Sequence, residues 1–335
     1  MRIGVVGAGG WGTALAKLLT ENGHEVILWS YEKDTAEEIN QIHCNQRFLS
    51  GIALPEKLVA SSDPEQVAKK SETLVFVTPS QWVRSAVEQF KDFIHPNTMI
   101  INAGKGIEIS TLKCLSEVIR EELDCDDGKI VTLSGPSHAE EVGRGVPTVT
   151  VVASPDLQYA QKAQDIFITP YFRVYTNPDR IGVEIGGALK NIFAMAAGIC
   201  DGLGFGDNTK AALVTRALSE MRRLGEKMGA SPLTFSGLSG LGDLYVTSAS
   251  RHSRNAWAGR EIGKGRTVEE VLKSTPMVVE GVPTTKAAYL LGKKYEVELP
   301  ITNIMYRILF EGYLPVQALE ELMSREKTHE IETIF

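Results

Sequence analysis

The feature that most constrains the fold of this chain is a glycine-rich turn near its N-terminus. A short apolar run at residues 3–6 leads directly into the turn GAGGWG at residues 7–12, and a helical pattern follows over residues 11–22. The turn fits G-x-G-x-x-G, and its place between a predicted strand and a predicted helix is the context of a dinucleotide-binding fold. A strand–turn–helix that binds nothing is the alternative interpretation.

Each glycine of the turn has a separate role in such a fold. Gly7 permits the tight turn, Gly9 lets a pyrophosphate approach the backbone, and Gly12 lets the helix pack closely on the strand. The start of the helix then presents free N–H groups and the positive end of its dipole to the phosphates. The turn therefore predicts a bound nicotinamide dinucleotide, NAD or NADP.

Apolar runs rich in Val and Ile alternate with helical patterns in the first part of the chain. Four such runs lie at residues 3–6, 26–29, 74–78 and 99–102. Their alternation with helical patterns predicts an α/β fold with a mainly parallel, doubly wound Rossmann-type sheet, whose strands are buried on both faces. Further runs are expected to extend that sheet at residues 130–133, 148–152 and 172–175.

The pattern changes after Asn177 and Pro178. From residue 180 onward helical periodicity dominates, interrupted by glycine-rich turns at residues 201–208 and 236–243. A chain of 335 residues usually forms two domains. We therefore expect a dinucleotide-binding domain at residues 1–179, followed by a mostly helical substrate and catalytic domain at residues 180–335.

Charge and cysteine usage limit the possible classes of function. The net charge of −7 argues against nucleic acid or an anionic membrane as the main partner. The four cysteines lie far apart without metal-ligand spacing, which is typical of a reducing cytosol and predicts no metal site. The strand-like run from residue 2 leaves no room for a signal peptide, and the apolar run at 185–200 is too short to span a bilayer. These features predict a cytoplasmic enzyme without membrane insertion.

The end of the second predicted strand should meet the adenosine ribose, roughly 20 residues beyond the glycines. Ser30, Tyr31, Glu32 and Lys33 stand there. Glu32 can bond both ribose hydroxyls, which favours NAD, whereas the other three can meet a 2′-phosphate. Arginine, the expected phosphate reader, is absent from residues 30–33. Because Glu32 and Lys33 can also be solvated turn residues, the choice between NAD and NADP stays open.

Lys105 follows another predicted strand, in the sequence NAGKG at residues 102–106. Ligands bind at the carboxyl edge of open α/β sheets, and flanking glycines let a side chain point into the cleft. Lys105 is therefore a candidate for contact with substrate and cofactor. An exposed loop lysine is the alternative.

Lys190 has small and apolar neighbours on its predicted helix face, including Gly187, Phe193 and Ala194. A buried ammonium is unstable unless it is paired or deprotonated, so its pKa should fall toward neutrality. A second cation nearby, such as Lys105, would lower it further. Such a lysine suits the acid–base step of an alcohol–ketone interconversion. A lysine that extends its head into water is the alternative.

A third candidate site lies further along the chain. Ser253 is a suitable N-cap for a helix over residues 255–262, with Arg254 in the first turn. A helix start with an arginine suits a phosphate, and Asp243, which ends a glycine turn, can orient the lysine ammonium. The alternative is a capped surface helix without a ligand.

Seven motifs recur in one fixed order over nearly all 335 residues: GAGGWGTALA, NAGKGIE, LSGPSHAEE, GGALKNIFAMAAGICDGLGFGDNTKAALVTR, GLSGLGDL, SRN and MVVEGV. Together they resemble bacterial NAD(P)-dependent glycerol-3-phosphate dehydrogenase. The resemblance implies reversible reduction of dihydroxyacetone phosphate to sn-glycerol 3-phosphate, which supplies phospholipid synthesis. It also implies a Rossmann domain, a helical C-terminal domain and a homodimer.

The resemblance also implies roles for individual residues. Lys190 is then the proton acceptor of the oxidation direction, and Lys105 contacts both substrate and cofactor. The implied substrate contacts are Lys105, Gly135, Ser137, Lys190, Asn191, Asp243, Thr247, Ser253, Arg254 and Asn255. The implied cofactor contacts, added to Gly7, Gly9 and Gly12, are Gly10, Trp11, Tyr31, Lys105, Ala139, Arg254, Val278 and Glu280.

The chain departs from that family at two places. Relatives often carry arginine where this chain has Tyr31 and Glu32, which argues against tight NADP binding. They also often have Tyr-Leu-Pro-Gly where this chain has Phe-Leu-Ser-Gly at residues 48–51, so the loop on the adenine side is expected to differ.

The sequence is also compatible with two other functions. A 3-hydroxyacid dehydrogenase or ketopantoate reductase would have the same architecture, and its substrate would place a carboxylate on Arg254. A dinucleotide sensor without turnover is the second, but it would have little reason to keep Lys105, Lys190, Asp243 and Arg254 together.

Overall fold

The computed structural model describes residues 1–327, 329 and 330. Within them the chain forms one sheet of eight strands. The strands are β1 (Arg2–Val6), β2 (Glu25–Trp29), β3 (Val59–Ser61), β4 (Thr73–Phe76), β5 (Met99–Asn102), β6 (Ile130–Ser134), β7 (Thr148–Ala153) and β8 (Phe172–Asn177). Their order across the sheet is β3-β2-β1-β4-β5-β6-β7-β8. The predicted α/β class and the doubly wound sheet are confirmed.

Helices cover both faces of this sheet. In the first part of the chain they are α1 (Gly10–Glu21), α2 (Lys33–Ile42), α3 (Pro64–Lys69), α4 (Val83–Phe90), α5 (Leu115–Leu123), α6 (Ala139–Gly143) and α7 (Leu157–Phe167). One apolar cluster joins the sheet to α1 and α7, and a second joins it to α3, α4 and α5. Because both faces are covered, every residue of β4, β5 and β6 is buried.

Two features of the sheet were not predicted. The strand β3 has only three residues and pairs with β2 at the sheet edge, where Val59 is exposed, so no apolar run marks it. The strand β7 runs antiparallel to β6, whereas all other neighbouring strands are parallel. The reason is the short helix α6 between them: its five residues span about 7.5 Å, less than the length of β6, so it does not carry the chain back for a parallel strand.

The second part of the described chain is helical. Its helices are α8 (Arg180–Gly202), α9 (Asp207–Lys227), α10 (Asp243–Ala249), α11 (Arg254–Gly263), α12 (Val268–Lys273), α13 (Gly281–Lys294), α14 (Pro300–Phe310) and α15 (Pro315–Met323). The predicted helical region is therefore present. The division into domains at residues 179 and 180 stays a prediction, and the last positions of the second predicted domain, 328 and 331–335, lie outside the described residues.

The central element of this helical region is α8, and the other helices pack around it in one apolar cluster. Among the described helices, α8 alone has the length and apolar composition that could cross a membrane. However, 94% of its most apolar window is buried inside the protein. That is the environment of a core helix in a soluble protein.

Helices α8 and α11 touch backbone to backbone. A Cβ atom built on Gly198 of α8 would lie 2.0 Å from the carbonyl oxygen of Ala256, and one built on Gly259 of α11 would lie 1.9 Å from that of Met195. Real Cβ atoms do not come so close, so both positions require glycine. The close contact fixes how the two helices lie relative to each other.

Candidate active site

The glycine turn has the geometry that a pyrophosphate requires. Gly7 has a φ of 122°, which side chains rarely adopt, and a Cβ on Gly12 would lie 1.9 Å from the carbonyl oxygen of Gly7. A Cβ on Gly9, the N-cap of α1, would meet nothing within 4 Å, and no side chain caps this helix. The start of α1 is therefore an open cradle with uncapped N–H groups, which fits a dinucleotide phosphate.

Two further residues expected to bind the cofactor border this turn. Trp11 donates a hydrogen bond from Nε1 to the carbonyl oxygen of Ala103, at 3.2 Å, next to the loop that carries Lys105. A Cβ on Gly10 would lie 3.7 Å from the Cβ of Ala139, the first residue of α6. The loop after β6 thus closes over the start of α1.

The ribose end of the predicted cofactor site contains Tyr31 and also Arg47, a residue that was not predicted from the sequence. Tyr31 is 75% exposed after β2 and makes an edge contact with the ring of Trp29. Arg47 lies near Glu32, with 3.9 Å between Arg47 Nη1 and Glu32 Oε1, and its guanidinium stacks on the ring of Phe48. An arginine is therefore present at this site, although residues 30–33 contain none. The fold brings it there from the loop after α2, and no local pattern marks it.

Asp243 lies between two lysines at the centre of the site. Its Oδ1 accepts a hydrogen bond from Lys190 Nζ at 2.6 Å, and its Oδ2 accepts one from Lys105 Nζ at 2.6 Å. Asp243 is 1% exposed and Lys190 is 7% exposed. Burial by itself would raise the pKa of the Asp243 carboxyl, but the two ammonium groups outweigh it and hold the pKa below its ordinary value. The carboxylate is therefore ionised and shared by both lysines.

The environment of Lys190 lowers its pKa. Burial is the largest cause; Asp243 opposes it, and the charges of Lys105 and Arg254 add to it, so that the pKa falls to about 8. Lys190 also donates a hydrogen bond to Thr247 Oγ1 at 2.8 Å. An amine with this pKa can both give and take a proton near neutral pH.

Three different elements deliver these groups. Lys190 lies in the middle of α8, and Lys105 lies just after the carboxyl end of β5. Asp243 begins α10 directly after a single turn of π-helix, Leu238–Gly242, an irregularity often found at functional sites. The three side chains therefore meet at the edge of the sheet where ligands bind in open α/β folds.

Lys105 is held on its other side by the loop after β6. Its Nζ donates hydrogen bonds to the carbonyl oxygen of Gly135, at 2.8 Å, and to Ser137 Oγ, at 3.3 Å. Gly135 has a φ of 121° and stands directly after β6. His138 follows, and burial followed by the charge of Lys190 lowers the pKa of its imidazole. Gly135 and Ser137 thus lie beside Lys105, and their contact with substrate stays a prediction.

The start of α11 forms the third part of the site. Ser253 is the N-cap, and its Oγ accepts a hydrogen bond from the backbone N–H of Ala256 at 3.1 Å, as predicted. Arg254 is exposed, and its side chain has no hydrogen bond or ion pair with any other described residue. Its charge nevertheless acts on Lys190 and on Glu280. A guanidinium without a partner at a helix start is free to bind an anion.

Two amides join α11 to the neighbouring helices. Asn255 donates from Nδ2 to Asn191 Oδ1 at 2.9 Å, and its Oδ1 accepts from the backbone N–H of Gly281 at 2.8 Å. Glu280 and Val278 precede α13, and the Glu280 carboxylate accepts hydrogen bonds from Ser80 N and Ser80 Oγ. Burial raises the pKa of Glu280. This segment is thereby held against the loop after β4.

The described residues contain no group of three or more His, Cys, Asp or Glu side chains that could hold a metal ion. The predicted site residues instead form two connected areas. The glycine turn, Trp11 and Ala139 form a cradle, and Lys105, Asp243 and Lys190 form a buried charged cluster beside Arg254. Tyr31 lies outside both, on the surface near Glu32.

Comparison with known proteins gives a consistent result. The family model described as NAD-dependent glycerol-3-phosphate dehydrogenase N-terminus matches residues 2–160, and the corresponding C-terminus model matches residues 179–320. A protein of Bacillus thuringiensis named glycerol-3-phosphate dehydrogenase [NAD(P)+] is 52% identical over 99% of this chain and 98% of its own length. One of Pelotomaculum thermopropionicum with the same name is 50% identical over 99% and 96%.

A solved structure agrees with these sequence relatives. The glycerol-3-phosphate dehydrogenase of Coxiella burnetii is 38% identical to this chain and superposes on it with a TM-score of 0.93. The match covers 97% of this chain and 99% of that structure. The sequence match and the structural match both extend over nearly the whole chain. The chain therefore belongs to the NAD-dependent glycerol-3-phosphate dehydrogenase family.

Proposed function

We propose that this protein is an NAD(P)-dependent glycerol-3-phosphate dehydrogenase. It transfers a hydride reversibly between NAD(P)H and dihydroxyacetone phosphate, giving sn-glycerol 3-phosphate for glycerophospholipid synthesis. The observation that carries the proposal is the buried Asp243 between Lys190 and Lys105, with a Lys190 pKa of about 8, beside a free Arg254. It combines an acid–base group for a carbonyl with a cation for a phosphate.

The mechanism assigns a task to each part of the cluster. The nicotinamide ring supplies or accepts the hydride when the cofactor is bound. Protonated Lys190 gives its Nζ proton to the substrate carbonyl oxygen in reduction, and neutral Lys190 takes a proton from the hydroxyl in oxidation. Asp243 orients the Lys190 ammonium, while Lys105 holds and polarises the carbonyl.

The remaining residues bind the two ligands. We assign the phosphate of the substrate to Arg254 and the N–H groups at the start of α11, capped by Ser253. The other substrate contacts are Gly135, Ser137, Asn191, Thr247 and Asn255. The cofactor contacts are Gly7, Gly9, Gly10, Trp11, Gly12, Tyr31, Lys105, Ala139, Arg254, Val278 and Glu280.

A steady-state assay tests this function directly. Dihydroxyacetone phosphate is compared with 3-keto acids and ketopantoate, each with NADH and with NADPH. We expect turnover with dihydroxyacetone phosphate alone. Preference for a keto acid would identify a hydroxyacid dehydrogenase or ketopantoate reductase instead, and cofactor binding without turnover of any substrate would identify a sensor.

The cofactor choice gives a first prediction. We expect NADH to serve at least as well as NADPH, because Glu32 repels a 2′-phosphate and also occupies Arg47 at 3.9 Å. Two like charges at close range in partial solvent cost on the order of 1–4 kcal/mol. Glu32→Gln removes the repulsion and frees Arg47, so the kcat/KM ratio of NADPH to NADH should rise by roughly tenfold.

The matched control is Glu37→Gln, which changes an exposed carboxylate within α2, the helix that begins directly after Glu32, and should leave the ratio unchanged. A wild-type kcat/KM for NADPH more than about tenfold above that for NADH, or about 1.4 kcal/mol, would contradict the prediction. Arg47 and Lys33 would then be the residues to replace.

The role of Arg254 gives a second prediction. Arg254→Ala removes a charge-assisted contact to the phosphate worth about 1.5–3 kcal/mol. The kcat/KM for dihydroxyacetone phosphate should therefore fall by roughly tenfold to over a hundredfold. Dihydroxyacetone, which lacks the phosphate, should be a poor substrate already and lose little more. Arg251→Ala, at an exposed arginine before the helix start, is the control. Equal losses for both substrates would mean that Arg254 serves the cofactor and not the substrate phosphate.

Cellular context and assembly belong to the same proposal. We place the protein in the cytoplasm, without membrane insertion and without a nucleic-acid partner, and we expect a homodimer. The net charge of −7 argues against nucleic acid and anionic membranes as partners, and the four separate cysteines fit a reducing cytoplasm. Light scattering on the purified protein measures the assembly, and a monomeric mass would contradict the dimer.

A further inference from the structure

A second buried carboxylate lies on the helix that carries Lys190. Glu184 of α8 is 6% exposed. Its Oε1 accepts hydrogen bonds from Asn102 Nδ2 at 3.0 Å and from the backbone N–H of Ser116 at 2.9 Å, and its Oε2 accepts one from Ser116 Oγ. It contacts neither Lys105 nor Lys190. The mechanism above gives it no task.

The donors to Glu184 stand at the two ends of one loop. Asn102 is the last residue of β5, and its Oδ1 accepts a hydrogen bond from the backbone N–H of Gly104 at 3.0 Å, next to Lys105. Ser116 lies in the first turn of α5, where the loop ends. The loop from 103 to 114 carries Lys105 and is closed internally by a bridge between Ile107 and Cys114. One carboxylate therefore ties both ends of this loop to α8.

Helix capping alone does not account for this arrangement. If Glu184 served only to cap the start of α5, its hydrogen bonds from the backbone N–H and the Oγ of Ser116 would be sufficient. The third donor belongs to β5 and continues through Asn102 to the backbone beside Lys105. Lys190 stands on the same helix as Glu184, so this connection runs from the helix of one lysine to the loop of the other.

We propose that Glu184 is a positioning residue for the reaction, which holds the Lys105 loop against α8 through Asn102 so that Lys105 and Lys190 can share Asp243. The inference rests on the proposed function, because Lys105 is assigned there to the substrate. Glu184 itself is assigned no contact with the substrate or the cofactor, and its hydrogen-bond partners are Asn102 and Ser116.

The chain provides a matched control. Glu220 is also a buried helical carboxylate, 2% exposed, and it accepts hydrogen bonds from Ile301 N, Thr302 N and Thr302 Oγ1 at the start of α14. Glu220→Ala removes the same kind of group with the same number of donors, and none of its partners belongs to the site. It therefore reports the general cost of losing a buried carboxylate.

The test compares Glu184→Ala, Glu184→Gln and Glu220→Ala. Glu184→Ala should lower kcat/KM for dihydroxyacetone phosphate by about 10- to 100-fold, as expected for a misplaced catalytic group. Glu184→Gln keeps an acceptor oxygen for Asn102 and Ser116 N, and its NH₂ can donate to Ser116 Oγ, so it should retain at least about a third of the activity. Glu220→Ala should change kcat/KM less than about twofold among the molecules that remain folded.

A double-mutant cycle with Lys105→Ala locates the effect. If Glu184 acts through Lys105, adding Glu184→Ala to Lys105→Ala should cost less than about twofold more. Losses that multiply in the double variant, or a Glu184→Ala loss no greater than that of Glu220→Ala, would overturn the inference.

Amide hydrogen exchange provides a readout that needs no substrate. Glu184→Ala should speed exchange in the segment around Gly104 and Lys105, and Glu220→Ala should not. If the wild-type protein does not reduce dihydroxyacetone phosphate, the proposed function fails, and the exchange data still decide about Glu184. Unchanged exchange in that segment would overturn the positioning role.

Discussion

Lys190→Ala is expected to lower kcat by about 10²–10⁴, the usual contribution of a positioned general acid or base. Without the lysine, the alkoxide formed by hydride transfer would lose the proton donor that the mechanism assigns to it. Cofactor binding should be nearly unchanged, because Lys190 contacts Asp243 and Thr247 rather than the glycine turn. Steady-state kinetics together with direct titration of NADH measure both effects.

The pH dependence checks the same assignment. Only protonated Lys190 can donate, so kcat/KM for reduction in the wild type should fall as the pH rises past the lysine's pKa of about 8. Oxidation needs neutral Lys190, so its rate should fall as the pH drops below that value. Both dependences should disappear in Lys190→Ala. Lys190→Arg should not restore activity, because a guanidinium cannot release a proton near neutral pH.

More than a tenth of the wild-type kcat in Lys190→Ala, with an unchanged pH profile, would move the acid–base role to Lys105 or to a bound water. Lys105 is the first candidate because it shares Asp243 with Lys190. Lys105→Ala at the same pH values would then separate these two explanations.

Asp243→Asn is expected to have the second large effect. The asparagine has one acceptor oxygen for two ammonium groups, and its NH₂ must face one of them. Removing one partner of a buried ion pair costs about 3–5 kcal/mol of stability, so the midpoint of urea unfolding should fall clearly. Because Asp243 opposes the lowering of the Lys190 pKa, that pKa should fall further in the variant. Activity should drop by about a hundredfold, as for a catalytic group displaced by about 1 Å.

The direction of the pKa change distinguishes this effect from simple unfolding. At pH 7 more of Lys190 would be neutral in Asp243→Asn, so reduction should lose more than oxidation does. Asp207→Asn is the control, because Asp207 also pairs with a lysine, Lys210, but its side chain is 99% exposed. Equal losses in both directions with an unmoved pH profile would mean that Asp243 does not set the pKa of Lys190.

Much of this arrangement could be predicted because local patterns mark it. The glycine turn, the alternation of strands and helices, and the Ser253 cap depend on neighbours along the chain, and the structure contains all three. The burial of Lys190 followed from its small helix face. The hypothesis that Asp243 orients Lys190 agrees with the distance of 2.6 Å.

What the sequence did not reveal depends on contacts between distant residues. Arg47 approaches Glu32 only because the loop after α2 folds back. Glu184 reaches Asn102 and Ser116 from a different part of the chain. The strand β3 is too short to show a repeating pattern of apolar residues. The antiparallel direction of β7 depends on the length of α6. No spacing or composition signals such pairings.

The contact between α8 and α11 has a consequence for substrate choice. Lys190 stands on one of these helices and Arg254 on the other, and at Gly198 and Gly259 their main chains touch with no side chain between them. Because the two main chains are in contact, repacking of side chains cannot change the spacing between the two helix backbones that carry these residues. In the proposed function Lys190 serves the carbonyl and Arg254 the phosphate, so a substrate with one more carbon between these groups would have to be accommodated by the Arg254 side chain or by a shift of a whole helix.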